Sequence, residues 1–349
     1  MRFMDLFCGI GGLSYGFKRA GFEPVAGLDI DTVALKVYKK NIKPKLVINK
    51  DFREVKINRE LPEVDVIIGG PPCQGFSFIN RYKKDGKYKI LNDGVIFFAE
   101  TVNILRPVVF LFENVPPTEK YPQFKYLLKV LGNNYSIHYA VVDLGLYGGG
   151  PWKPVRPLTH RRRLIAIGIR KDTGLEGKYL FPRPSADKPL PIDEVLLLDD
   201  NLVKKDLKLK KYKKLSERLR KLAPYMKRGL KRRDVPQEAK KYFYNCWLKK
   251  PSSFADSFSR CAEGEPLPYV TGGIMTPDKG PFLHITEDRG YTLEEAKYIM
   301  SFPVEFDLSD ISITKAEKYI GNAVPPQAAY AFAARIKEVL HGNGIVPFA

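Results

Sequence analysis

No apolar run in the 349 residues approaches the roughly 18 that a membrane-spanning helix needs, which argues against a membrane protein. The N-terminus, Met1-Arg2-Phe3-Met4-Asp5-Leu6, lacks a signal-peptide pattern: an acid comes early and no long apolar stretch follows. Cysteine is scarce. Its four copies, Cys8, Cys73, Cys246 and Cys261, are spaced too widely for a disulfide framework or a metal-ligand set. A reducing, cytoplasmic setting with no structural metal is therefore expected. Internal repeats and low-complexity tails are also missing. Acids are in short supply, 39 against 58 Lys and Arg, and the resulting net charge of +19 calls for a polyanionic partner.

The shortage of acids is concentrated in one place. Between Lys204 and Arg233 fifteen Lys or Arg face only Asp206 and Glu217, a local charge of +13. A solvated helix face is one reading of such a run, and heat adaptation is another. Heat-adapted chains, however, raise Glu together with Lys to build ion-pair networks. Without those acids the repulsion needs phosphates to neutralise it, which favours nucleic acid, with Lys210, Lys211, Lys213 and Lys214 as backbone contacts.

What is present is led by Gly69-Gly70-Pro71-Pro72-Cys73-Gln74-Gly75-Phe76-Ser77, directly after the apolar run Val64 to Ile68. An apolar run ending in glycines reads as a buried parallel strand that opens into a loop at its carboxyl end. Two prolines fix the backbone before the thiol, and Gly75 permits a sharp turn after it. In open α/β sheets that edge is where ligands bind. A cysteine alone is more often a small buried hydrophobe. These flanks instead favour a positioned, exposed nucleophile.

The first third alternates strand and helix signals, as a doubly wound, Rossmann-like α/β sheet requires. Strands are expected at 2–7, 22–28, 64–68, 108–112, 135–142 and 164–169. Helices are expected at 13–20, from Asp31 or Thr32 towards Asn41, and at 94–105. Gly21 is placed to end the first helix. After about Lys171 prolines and lysine runs replace the alternation. The expected division is a catalytic domain of residues 1–175 and 315–349, with a smaller, irregular domain over 176–314. A helix start is read at Thr292, a loop at 321–326 and a last helix over 327–340.

Gly9-Ile10-Gly11-Gly12 follows the first strand and can bring backbone amides close to a ligand at a helix N-terminus. Asp29 stands twenty residues on, where an acid binds ribose hydroxyls in nucleotide folds. An ordinary tight turn explains the glycines equally well. No Lys-Ser/Thr follows them, which argues against a phosphate-binding kinase loop. Glu113 ends a buried strand at the same edge as Cys73, where partial desolvation suits proton or hydrogen-bond donation. Its plain alternative is a strand-end acid on a backbone amide. Arg161 and Arg163 share one face of a starting strand, either to fix a carbonyl-rich substrate or as a solvated basic edge.

Assembled in order, Asp5-Leu6-Phe7-Cys8-Gly9-Ile10-Gly11-Gly12, Gly70 to Ser77, Phe112-Glu113-Asn114-Val115, Arg161-Arg162-Arg163, Arg289-Gly290-Tyr291-Thr292 with Phe302-Pro303, and Gly321-Asn322-Ala323-Val324-Pro325 resemble the DNA (cytosine-5) methyltransferase family. The resemblance spans residue 1 to about 170 and about 289 to 340. It implies S-adenosylmethionine as cofactor, duplex DNA as substrate and Cys73 as the nucleophile at C6 of a flipped-out cytosine. Glu113 would engage N3 and the exocyclic amine, Arg163 the base O2, and Arg161 would support Glu113. Cofactor residues carried over are Asp5, Phe7, Gly9, Gly11, Gly12, Asp29, Ile30, Asp51, Phe52, Pro72, Ile96, Asn322 and Ala323. Gln74 and Ser77 would face DNA, and the 176–314 region would recognise the target. The resemblance also implies a monomer in a prokaryotic cytoplasm, at the nucleoid through its DNA, with room for a cognate restriction endonuclease. Two departures stand out. Thr159 replaces the usual Gln two residues before the first arginine, and Gly148 to Pro154 replaces a compact Gly-hydrophobic-Pro-Gln. The related tRNA-acting enzymes, a catalytically silent DNA-binding relative and a nicotinamide-dependent thiol enzyme are the competing readings.

Overall fold

The computed structural model describes residues 1–72, 93–249 and 256–342, so Cys73, Gln74 and Ser77 lie outside the described residues. The chain divides into two compact units. The first comprises Met1–Gly150, Arg162–Ser185 and Pro326–Ala349; the second comprises Pro151–Arg161 and Ala186–Pro325.

The first unit is a seven-stranded sheet of β1 (Arg2–Leu6), β2 (Glu23–Asp29), β3 (Leu46–Asn49), β4 (Val66–Gly69), β5 (Val109–Asn114), β6 (Tyr135–Asp143) and β7 (Arg162–Arg170). Their order is β3-β2-β1-β4-β5-β7-β6. The first five pair in parallel, and the apolar residues of β1, β4 and β5 are buried as central strands require. β7 runs antiparallel to both β5 and β6. Strand order reverses between β1 and β4, which opens the crevice where such sheets bind ligands.

Helices α1 (Gly12–Arg19), α2 (Thr32–Ile42), α3 (Ile57–Glu60), α4 (Asp93–Leu105) and α5 (Pro122–Leu131) connect these strands. Gly21 follows α1 at φ 92°, and its N–H returns to Lys18 O, the expected glycine stop. Asp31 caps α2, accepting from the Val33 and Ala34 amides. β3 was not among the expected strands: it has four residues and Ile48 as its single buried one.

The second unit carries α6 (Asp200–Lys208), α7 (Glu217–Leu222), α8 (Asn245–Lys249), α9 (Leu293–Ile299) and α10 (Ile313–Asn322), and the chain then returns to the first unit as α11 (Pro326–His341). Leu219, Leu222, Met226, Phe243, Trp247 and Phe258 form its own apolar core. The Arg289-Gly290-Tyr291-Thr292 stretch builds a buried ionic knot rather than a surface motif. Arg289 grips Glu295 through both guanidinium arms at 2.7 and 2.8 Å, while Thr292 and Glu295 form a capping box at α9.

The boundaries differ from the sequence expectation at three places. Residues 176–185 go with the first unit, where Arg335 holds Tyr179 O and Phe181 packs on Phe332. Residues 151–161 go with the second, through the Leu158–Ile299 and Thr159–Leu267 pairings. Residues 315–325 do likewise, because Glu317 accepts from Met275 N at 3.0 Å and Thr276 Oγ1 at 2.6 Å. The loop read at 321–326 is also shorter than expected, since Gly321 and Asn322 complete α10 and Pro326 opens α11.

Candidate active site

The glycine loop runs from the end of β1 into α1. Phe7 and Gly9 take left-handed backbone conformations (φ 63° and 52°), and Gly11 caps α1 at φ 93°. Such a conformation at a bulky Phe stores strain of the kind found at binding sites. The crest at Gly9 is open: a Cβ there would meet nothing within 4 Å. Gly9 N–H donates to Asp29 Oδ2 at 2.8 Å and Asp31 N–H to Asp29 Oδ1 at 2.9 Å. Burial raises the Asp29 pKa, and these backbone donors oppose that shift. A carboxylate has about four lone-pair sites, so Asp29 still has acceptor capacity for a ligand hydroxyl.

Beside Asp29, Ile30 stands 64% exposed at the strand end. Asn49 of β3 fixes it, its amide donating to Ile30 O at 3.0 Å and to Asp29 O at 3.2 Å. The sequence reading missed Asn49 because it missed β3. Phe52 packs on both Phe7 and Phe97, each with ring centroids 5.5 Å away. Phe97 was also missed, whereas its neighbour Ile96 is half-buried on α4. Asp51 is engaged by the Arg53 guanidinium and backbone amide, which hold its carboxyl below the usual range.

Asp5 is fully buried, with its carboxylate turned to Ser14 at 2.6 Å, so it lies under the loop and not on its face. Gly11 and Gly12 are likewise buried, and Pro72 is half-buried at the last described position before Cys73. Asn322 and Ala323 belong to the second unit, where Asn322 is exposed at the end of α10.

Glu113 lies at the carboxyl end of β5, opposite Ile165 of β7. Because β7 is antiparallel, its first residues reach the edge where the parallel strands end. Arg163 Nε pairs there with Glu113 Oε1 at 2.9 Å, both side chains largely enclosed. Among the described residues, it is Arg163 and not Arg161 whose guanidinium is seen to pair with Glu113. Arg161 sits in the second unit, 3% exposed, and donates to Gly321 O at 3.1 Å. The Glu113 carboxylate crosses directly over Gly70: a Cβ there would stand 2.8 Å from Glu113 Oε2. Asn114 ties the next residue down, donating to Pro71 O at 3.1 Å and accepting from Val115 N and Thr118 Oγ1.

At the two departures, Gly150 N–H donates to the buried Gln327 Oε1 at 2.7 Å, and Thr159 Oγ1 to Leu267 O at 3.2 Å. Among the basic residues, Lys210 and Lys214 are exposed and Lys211 is half-exposed. Lys213 is different, donating to Thr314 Oγ1 at 2.6 Å with Glu317 4.0 Å away. Arg228 pairs with Asp193, and Arg232 is buried over the Trp247 ring at 4.2 Å. These three cations serve the second unit itself.

The family model for C-5 cytosine-specific DNA methylases matches residues 1–338. Type II methyltransferase M.FnuDI of Fusobacterium nucleatum is 30% identical, with 97% of this chain and 95% of that one covered. Type II methyltransferase M1.HphI of Haemophilus parahaemolyticus is 27% identical over 95% of this chain and 86% of its own. Among solved structures, a prophage-encoded E. coli protein described as a DNA modification methyltransferase aligns with TM-score 0.64 at 22% identity, covering 98% and 99% of the two chains. S. pombe Dnmt2 methyltransferase aligns with TM-score 0.58 at 15% identity, covering 99% of each. The chain belongs to the C-5 cytosine-specific DNA methylase family and is a DNA (cytosine-5) methyltransferase.

Proposed function

We propose that the protein methylates C5 of a cytosine within a specific duplex DNA sequence, by covalent catalysis through Cys73 on a flipped-out base. The observation that carries this reading is the Glu113 carboxylate held over Gly70 by Arg163, three residues before Cys73. Cys73 as thiolate would add to C6, forming a C–S bond and moving electron density onto C5. Glu113 would accept from the exocyclic amine and, bringing a proton, donate to N3, offsetting the negative charge that develops on the ring. Once C5 carries the transferred methyl group, loss of its proton and elimination of the Cys73 thiolate would restore the C5–C6 double bond.

S-adenosylmethionine, when bound, supplies the electrophilic methyl group. The residues present fit it. Ile30 and Phe52 offer apolar faces for a flat base, Asp29 offers lone pairs for ribose hydroxyls, and the open crest at Gly9 admits a ligand against the loop. The first unit would then be catalytic and the second would recognise the target. The basic segment of the second unit would grip phosphates through its exposed lysines. The relatives' names as Type II methyltransferases support a protective role beside a cognate endonuclease.

The decisive experiment uses DNA with 5-fluorocytosine at the site that bisulfite sequencing identifies in an expressing host. Fluorine cannot leave as a proton does, so the wild-type protein is expected to remain attached through denaturation, and Cys73→Ser to form no adduct. An adduct that survives Cys73→Ser rules out this nucleophile. Unmethylated host DNA rules out the reading as a whole.

A further inference from the structure

Beneath the glycine loop lies a chain of three buried polar side chains that the proposed chemistry leaves unused. Ser14 Oγ donates to Asp5 Oδ2 at 2.6 Å and stands 2.9 Å from the Tyr38 hydroxyl. A serine hydroxyl has one proton. With that proton on the carboxylate, Tyr38 is the donor to Ser14. Ser14 and Tyr38 are completely enclosed, and Asp5 is 1% exposed.

The Tyr38 ring is wedged below the loop as well. A Cβ on Gly27 would stand 2.4 Å from Tyr38 Cε1, and one on Gly11 2.9 Å from Tyr38 Cδ2. Two glycines thus admit one aromatic ring between α2, β2 and the loop. Gly11 is also the residue that turns the loop into α1.

We propose that Tyr38 is a positioning residue for S-adenosylmethionine binding: its ring sets the height of the glycine loop, and its hydroxyl acts through Ser14 on Asp5. The inference rests on the cofactor reading above and deepens it. Burial pushes the Asp5 carboxyl up to about 8, the Ser14 bond pulls it down, and the Asp29 carboxylate pushes it up again. Among the described residues, the other titratable groups facing Asp5 are the Cys8 thiol, from the loop, and Tyr38, from α2; burial holds both well above their ordinary values, so they stay neutral. The flanking strands present Gly27 and Ile68 in register with Asp5. Asp5 is therefore the group that gains charge just above neutrality.

S-adenosylmethionine carries a sulfonium cation that S-adenosylhomocysteine lacks, so the ratio of their affinities reports negative charge beneath the loop. Calorimetry with both compounds on the full chain, as a function of pH, tests the proposal. In the wild type the ratio should rise as Asp5 loses its proton near pH 8. In Asp5→Asn the rise should vanish. Tyr38→Phe and Ser14→Ala remove donors that favour the carboxylate, so the rise should move to higher pH. Tyr38→Phe keeps the wedge and should melt close to the wild type, with S-adenosylmethionine bound about 2- to 10-fold more weakly, the loss of one neutral hydrogen bond. If Tyr38→Phe and Ser14→Ala keep both the wild-type affinity and its pH profile, or lose thermal stability alone, Tyr38 is only a core residue. If wild-type protein binds neither compound, the cofactor reading itself is wrong, an outcome separable from the first because it needs no variant.

Discussion

At the scale of single residues, the site depends on where a side chain is missing. Gly70 leaves room for the Glu113 carboxylate, and a Cβ would come within 2.8 Å of Oε2. Gly70→Ala should therefore push Glu113 aside and loosen its 2.9 Å pair with Arg163. Displacements of about 1 Å in a catalytic group cost rate by around 100-fold. Turnover on the target duplex should fall by roughly that factor, while S-adenosylmethionine affinity by calorimetry stays near the wild type. Unchanged turnover in the variant removes the Glu113 geometry from the mechanism. Much of this was readable in advance: the Gly-Gly-Pro-Pro-Cys order, Glu113 at a strand end and Asp29 at another all come from local sequence. The pairing of Arg163, rather than Arg161, with Glu113 was not. Their placement depends on which strands β7 pairs with, and in which direction, and local sequence does not encode that.

Secondary-structure elements explain why the edge assembles. Four consecutive positions along it are supplied by β2 (Asp29), β1 (the glycine loop), β4 (Gly70) and β5 (Glu113), in the order of the sheet. The reversed direction of β7 then adds Arg163 to the same edge. Strong apolar strands were legible because they are buried on both faces. β3 was not, since only Ile48 of its four residues is buried, and Asn49 was lost with it. The join between β4 and β5 is made by Asn114, fully enclosed, which bonds Pro71 O, Val115 N and Thr118 Oγ1 together. Asn114→Ala leaves those groups unpaired and should cost about 1–3 kcal/mol in denaturant unfolding. Asn114→Asp keeps the acceptor but cannot donate to Pro71. Its buried carboxylate then faces the Pro71 carbonyl, so the substitution should cost at least as much stability as Asn114→Ala. Turnover that falls only with the folded fraction in both variants would make Asn114 a purely structural residue.

For the whole molecule the dominant fact is charge. A net +19 destabilises a compact chain through self-repulsion unless a polyanion neutralises it. The sequence located the excess correctly by counting, but counting treats all fifteen cations of 204–233 as equivalent, and packing does not. Arg228 is spent on Asp193, Arg232 is stacked on Trp247, Lys213 is held by Thr314, and Lys204 and Lys221 pair with acids four residues away. Lys205, Lys208, Lys210 and Lys214 are exposed, and no ion pair with a described acid engages them. Every phosphate that a protein ceases to neutralise lowers the log-log salt slope of duplex binding by about 0.9. Replacing these four lysines with Ala should therefore flatten the slope by up to about 3.6. Binding should weaken alike for target and unrelated duplexes, and the bisulfite-mapped site should not change. Lys213→Ala, in contrast, should leave the slope unchanged and lower stability, because its hydrogen bond to Thr314 is gone. A quadruple variant with the wild-type slope would show that the segment is a solvated face. A changed methylation site would show instead that these lysines read bases, and that phosphate binding is the wrong description of this surface.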